Sequence, residues 1–144
     1  MKVVVDTNIL FSALINPTGK IANIILNNHS IFDFYAPSTA LEELTNHRFK
    51  LSKASKLTYH EIDRLTEILM RHISVIDFKS ISKSSRVTAV EMLMDIDKFD
   101  IPFLALSIDI NAKIWTGDKK LTNGLLSKGY KDVMDTAALG ILAK

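Results

Sequence analysis

Lys2-Val3-Val4-Val5-Asp6-Thr7-Asn8 is the stretch on which the fold turns. Three consecutive β-branched residues with a polar residue directly behind them describe a short strand buried on both faces. A strand solvated on one face would alternate apolar and polar positions instead. Strands buried on both sides belong to parallel sheets covered by helices. Behind this strand, Thr7 or Asn8 can cap a helix expected over residues 9–15.

The same alternation continues downstream. Asn16-Pro17-Thr18-Gly19 is a turn, and Ile21, Ile24, Ile25 and Asn28 then repeat at helical spacing. A second strand is expected over 33–36, and Pro37-Ser38 opens a helix to about Arg48. Residues 51–56 read as a basic connection. Thr58 caps a helix whose apolar positions Ile62, Leu65, Ile68 and Leu69 recur at i, i+3 and i+4. A third strand follows over 73–76 and a helix over 85–94. Asp100 can cap a helix running through Ile110, with Pro102 in its tolerated first turn; this helix is apolar nearly all round and should be buried. A fourth strand over 112–116, a helix over 119–128 ended by Gly129, a weak strand over 132–134 and a helix over 136–143 complete the pattern. Strands alternating with helices give an α/β fold: one domain over 1–144, with a central, mostly parallel sheet of four to five strands between helices.

Composition narrows the function. A chain of 144 residues suits one core, and an apolar share of 47% can fill it. The chain has no cysteine, which excludes disulfides, thiolate zinc sites and cysteine nucleophiles. Its apolar runs fall far short of a membrane span and its first residues lack signal-peptide architecture, so a cytoplasmic location without membrane partners is expected. The net charge of +2 announces no nucleic-acid partner by itself. Two basic groups are better placed. Arg48, Lys50, Lys53 and Lys56 follow Glu43, and Lys113, Lys119 and Lys120 flank Asp118. They read either as a solvated face or as phosphate contacts beside an acidic centre. His29, His47, His60 and His72 have no paired metal-ligand spacing, and there is no Gly-rich phosphate loop. Trp115 lies on an expected buried strand and reads as core.

Four acids stand where a parallel sheet would gather them. Asp6 ends the first strand, Glu43 lies in the helix after the second, Asp100 opens the helix before the fourth, and Asp118 closes the fourth. In open α/β sheets the functional crevice lies outside the carboxyl ends of the strands. Each acid has a plain structural alternative. Asp6 and Asp100 fit helix caps, Asp118 a turn, and Glu43 an exposed helical position. Jointly they would repel one another unless a cation held them. Hard ions such as Mg²⁺ and Mn²⁺ take oxygen ligands, activate water near neutral pH and neutralise charge on phosphate oxygens. The expected chemistry is therefore metal-dependent phosphodiester hydrolysis with one or two ions per site. Between the two adjacent glutamates, helical angle favours Glu43. At about 100° per residue, the stripe of Ala40, Leu41, Leu44 and Leu51 is centred roughly 100° from Glu43 and roughly 160° from Glu42.

Asp6-Thr7-Asn8, the segment from Pro37 to Leu44, Asp97-Lys98-Phe99-Asp100-Ile101-Pro102-Phe103-Leu104-Ala105-Leu106 and Trp115-Thr116-Gly117-Asp118 together resemble a PIN domain. The resemblance runs from the first strand to the helix after Asp118. It implies a Rossmann-like α/β/α sandwich and Mg²⁺- or Mn²⁺-dependent cleavage of single-stranded or structured RNA. Many members are toxin ribonucleases of toxin–antitoxin pairs, the VapC-like group. Carried onto this chain, Asp6, Glu43, Asp100 and Asp118 match the catalytic and metal-binding quartet. Asn8 and Thr116 match supporting polar positions, and Asp97 a variable extra acid. RNA contacts are expected from Arg48, Lys50, Lys119 and Lys120, and an antitoxin protein is an expected partner. A homodimer is expected too, because residues 9–25 and 58–70 carry more apolar positions than a thin outer layer needs. The alternative is a non-catalytic RNA-binding or scaffold protein on the same fold, with a metal-dependent phosphatase or DNA nuclease behind it. Residues 51–94 carry no motif.

Overall fold

Five strands set the architecture: β1 (Lys2–Val5), β2 (Asp33–Pro37), β3 (Ile73–Ile76), β4 (Lys113–Trp115) and β5 (Val133–Met134). In the computed structural model, which describes residues 1–143, they form one sheet of order β3-β2-β1-β4-β5. Lys144, the last residue of the expected domain, lies outside the described residues. Every neighbouring pair is parallel, so the sheet is wholly rather than mostly parallel. The valine run sits at its centre, with Val3, Val4 and Val5 all at 0% exposure, as expected of a strand covered on both faces. Chain order runs outward from β1 through β2 to β3, then returns to β4 on the other side of β1. The reversal between β1 and β4 is where such sheets open a crevice at their carboxyl ends.

Nine helices connect and flank the described strands: α1 (Thr7–Ile15), α2 (Lys20–Asn27), α3 (Ser38–Asn46), α4 (Arg48–Ser55), α5 (Tyr59–Met70), α6 (Lys83–Leu93), α7 (Ile101–Ile110), α8 (Lys119–Ser127) and α9 (Thr136–Leu142). The apolar helix α7 packs on β1, β2 and β4, with α6 behind it, and α6 in turn meets α8. Its residues Phe103 to Ser107 are all buried. Trp115 is fully buried, and its indole N–H donates to Thr136 Oγ1 at 3.0 Å. Thr58 caps α5 through a complete capping box with Glu61, which satisfies donors that the first helical turn leaves open.

Several boundaries differ from the sequence reading. The first helix begins at Thr7, because Asp6, not Thr7 or Asn8, accepts the capping bond. The helix from Pro37-Ser38 stops at Asn46, and 51–56 is no connection: α4 runs through it and ends at Lys56, whose φ of 61° is left-handed. The segment is polar on most sides and buries only Leu51, so its helicity depends on packing against α1 and α5 rather than on amphipathic spacing. The apolar positions that suggest pairing are mostly taken up inside the chain. Ile9, Leu10, Ala13, Leu14, Ala22, Ile24, Ile25, Ile62 and Leu69 are buried, and α1, α2 and α5 pack on one another. Ile15 and Tyr59 remain exposed. No single helix among the described residues is long and apolar enough to cross a membrane.

Candidate functional site

Asp6 emerges from β1 and is 5% exposed. Its backbone N–H donates to Trp115 O at 3.1 Å, fastening the end of β1 to that of β4. Both of its carboxylate oxygens accept a hydrogen bond: Oδ1 from Thr7 N at 2.8 Å and Oδ2 from Thr116 Oγ1 at 2.6 Å. The Thr116 hydroxyl also accepts from Asp118 N at 3.1 Å. One buried hydroxyl thus donates to the acid behind β1 and accepts from the backbone of the acid behind β4. Asp118 then caps α8, accepting from Leu121 N at 3.1 Å. The capping alternative for Asp6 is therefore realised, whereas Asp118 is a helix cap rather than the turn residue expected.

Asp100 behaves differently. It stands at the cap position of α7 but makes no side-chain capping bond, because the chain enters this helix through a 3₁₀ turn over Lys98–Asp100. That turn is capped by Asp97, whose Oδ1 accepts from Phe99 N at 2.9 Å. Asp100 Oδ2 is buried without a hydrogen-bond partner. A buried carboxylate oxygen with no donor is costly, so such an atom asks for a proton or a cation.

Glu43, on α3, is half-buried, while Glu42 is exposed. The Thr7 hydroxyl lies close enough to favour the ionised form of Glu43, although it makes no hydrogen bond of good geometry. The sequence offers Thr7 as a possible cap and as part of Asp6-Thr7-Asn8, without a role beside Glu43. Its place directly behind an acid at a strand end is the signal that could have marked it. Asn8 is exposed on α1, and its side chain bonds no carboxylate, so the expected support from Asn8 is not formed; Thr116 does form it.

The acids feel one another. Burial pushes Asp100 up from 3.8 to about 7, and the charges of Asp6, Asp97, Asp118 and Glu43 push the same way. Asp6 is raised by burial, opposed by the bonds from Thr116 and Thr7, with Asp118 and Asp97 adding repulsion. Glu43 is raised by burial, opposed by Thr7, with repulsion from Asp6 and Asp97. Among the described residues, none of these five acids has an ion-pair partner. None of the four basic residues expected to contact RNA pairs with these acids. Arg48 bonds Asp63 at 2.6 Å and lies over the Tyr59 ring at 5.0 Å. Lys50 is exposed on α4, and Lys119 and Lys120 are exposed in the first turn of α8.

As the side chains stand, no three His, Asp or Glu residues among the described residues close on a point to hold a metal. The donor set nonetheless fits a hard cation: it is all oxygen, uncompensated by cations, and includes the orphaned Asp100 Oδ2. Mg²⁺ needs only one or two carboxylates directly, because it keeps several waters.

Comparison with known proteins agrees with this geometry. A family model described as a PIN domain matches residues 4–137, from β1 into α9, and contains all four acids. No curated protein matches the chain. A chain in the crystal structure of VapBC2 from Rickettsia felis bound to a DNA fragment from their promoter is similar in fold, with a TM-score of 0.67 and 19% identity over 94% of this chain and 98% of that one. A family match over nearly the whole length, with the strand order found here, makes this chain a member of the PIN-domain family.

Proposed function

We propose that this chain is a Mg²⁺- or Mn²⁺-dependent endoribonuclease, hydrolysing RNA phosphodiesters at Asp6, Glu43, Asp100 and Asp118. The observation that carries the reading is a group of acids that repel one another with no ion-pair partner among the described residues, in which Asp100 Oδ2 is buried without a hydrogen-bond partner. Membership of the PIN-domain family supports it. Asp6, Asp100 and Asp118 would hold one ion directly or through water; Glu43 would complete the site and could serve a second. Such an ion, when bound, supplies an acidified water and neutralises charge on a phosphate oxygen.

The remaining roles belong to the protein's own groups. Thr116 orients Asp6 through its 2.6 Å bond and fixes the backbone at Asp118. Asp97 closes the turn that presents Asp100. Without a cation, Asp100 holds a proton up to about pH 7, which relieves repulsion in the crevice. Lys119 and Lys120 would attract the RNA backbone, with Lys50 further along the surface; Arg48 would do so only by leaving Asp63.

The likeness to a VapBC2 chain supports a toxin role with an antitoxin as partner, and the adjacent reading frame would test it. A second copy of the chain is also a proposed partner, resting now on exposed Ile15 and Tyr59 and on the default two-fold symmetry of homo-oligomers. Light scattering should then give twice the 16.1 kDa chain mass. Assays on defined RNA, on DNA and on a small phosphate ester separate the nuclease reading from its competitors. Cleavage confined to DNA or to the ester would contradict it.

A further inference from the structure

The turn that carries Asp97 and Asp100 also carries an aromatic side chain in open solvent. Phe99 is 73% exposed, whereas Phe34 and Trp115 on the sheet and Phe103 on α7 are buried. A single exposed apolar residue needs no explanation by itself. Phe99 differs from exposed Phe49 or Ile141 in where it stands and how it is held. It lies between two acids that share one field. Its backbone N–H is bound to the Asp97 carboxylate at 2.9 Å, and Asp100 N is bound to Asp97 O at 3.2 Å, so the turn is closed from both sides. The Lys98 ammonium lies 5.7 Å from the ring centroid. An accessible aromatic ring with a cation beside it, carried on a closed turn between two of the acids, has the form of a base-stacking platform. The ring takes the π-face of an unpaired base, and the lysine takes the phosphate next to it. Bases inside a duplex have both faces covered, so this arrangement selects single-stranded or looped RNA.

We infer that Phe99 and Lys98 form a stacking subsite that seats one unpaired nucleobase of the substrate beside the acidic crevice. The inference rests on the nuclease reading above for its ligand class. Phe99 is a positioning residue: it fixes where the strand lies relative to the acids and takes no part in bond making.

The test uses a short single-stranded oligoribonucleotide containing 2-aminopurine, whose fluorescence is quenched by stacking. Ca²⁺ replaces Mg²⁺, because its looser coordination suits binding more than chemistry. Wild-type protein should bind it with quenching. Phe99→Leu, which keeps the apolar bulk at an exposed position, should lose the quench and bind about fivefold or more weakly, the low end of about 1–3 kcal/mol per stacked base. Phe99→Trp should restore both. A blunt duplex of the same sequence should show no dependence on residue 99. Equal binding and quenching by wild type and Phe99→Leu, while the wild type cleaves RNA with Mg²⁺ or Mn²⁺, would overturn the subsite and leave the nuclease reading standing. Phe99-dependent quenching without any cleavage would uphold the subsite and sink the nuclease reading. A change in oligomeric mass on Phe99→Leu, with oligonucleotide binding unaltered, would assign the ring to a protein interface and likewise overturn the inference.

Discussion

Replacing Asp100 by asparagine removes a buried charge and leaves a nearly isosteric carboxamide. In the folded chain Asp100 ionises at about 7, against 3.8 without burial or neighbours. A carboxyl whose folded value is raised is disfavoured in its charged form by the fold. Wild type therefore loses stability as pH rises through the interval from 3.8 to about 7, and the loss is complete above it. Taken in full, that displacement corresponds to roughly 4 kcal/mol. Asp100 is only partly buried, so solvent screening brings the expected penalty to about 1–2 kcal/mol. The carboxamide of the Asp100→Asn variant has no charge to penalise, and the exchange also relieves repulsion on Asp6 and Glu43. Urea denaturation in chelator should find the variant equal to wild type near about pH 4 and more stable by about 1–2 kcal/mol near about pH 8. Thermal melting should follow, with roughly 2–4 °C for each kcal/mol in a chain of this size. Added Mg²⁺ should reverse the order, because a ligand that binds only the native site stabilises only the protein that can hold it. A variant no more stable than wild type at about pH 8 would refute the argument that burial and the neighbouring acids penalise the charged Asp100.

Thr116→Val leaves the buried Asp6 Oδ2 without its donor and Asp118 N without its acceptor. It should cost about 1–3 kcal/mol in urea titration, and a neutral result would mean that water replaces the hydroxyl. Gln substitutions at the paired glutamates should separate them: Glu43→Gln should lower cleavage roughly 10- to 100-fold, and Glu42→Gln should leave it near wild type. The reverse ranking would mean that α3 presents its other side to the crevice. Neutralising Lys119 and Lys120 together should reduce the slope of log affinity against log salt by about 1.4, at about 0.7 per phosphate contact on a single strand. An unchanged slope would make these lysines a solvated surface.

How far the chain could be read depended on whether each feature was local. The valine run and the apolar segment over 101–110 predict their own burial, and the strand–helix alternation predicts the parallel sheet. The two strand-end acids, Asp6 and Asp118, follow from that, since parallel strands bring their carboxyl ends to one side; Asp100 instead opens the helix that leads into β4. That Glu43 is the less exposed of the two adjacent glutamates was legible because helical angle is fixed by spacing. What escaped was set by tertiary partners. Helix α4 has one buried residue, and no periodicity marks it. The Arg48–Asp63 pair joins two helices 15 positions apart. The 3₁₀ turn that takes the cap away from Asp100 is the local exception: it is closed by Phe99 N donating to Asp97 two residues before it.

The central claim is that the acids at the β1/β4 crevice cut RNA with a divalent cation. Its most direct test is cleavage of a defined single-stranded RNA by the purified chain with Mg²⁺ or Mn²⁺, repeated with chelator and with Asp6→Asn. The account predicts internal cleavage by wild type with either ion, none in chelator, and none by Asp6→Asn, whose circular dichroism and urea midpoint should show it folded. Cleavage that persists in chelator, or at an undiminished rate in the folded Asp6→Asn variant, would contradict it.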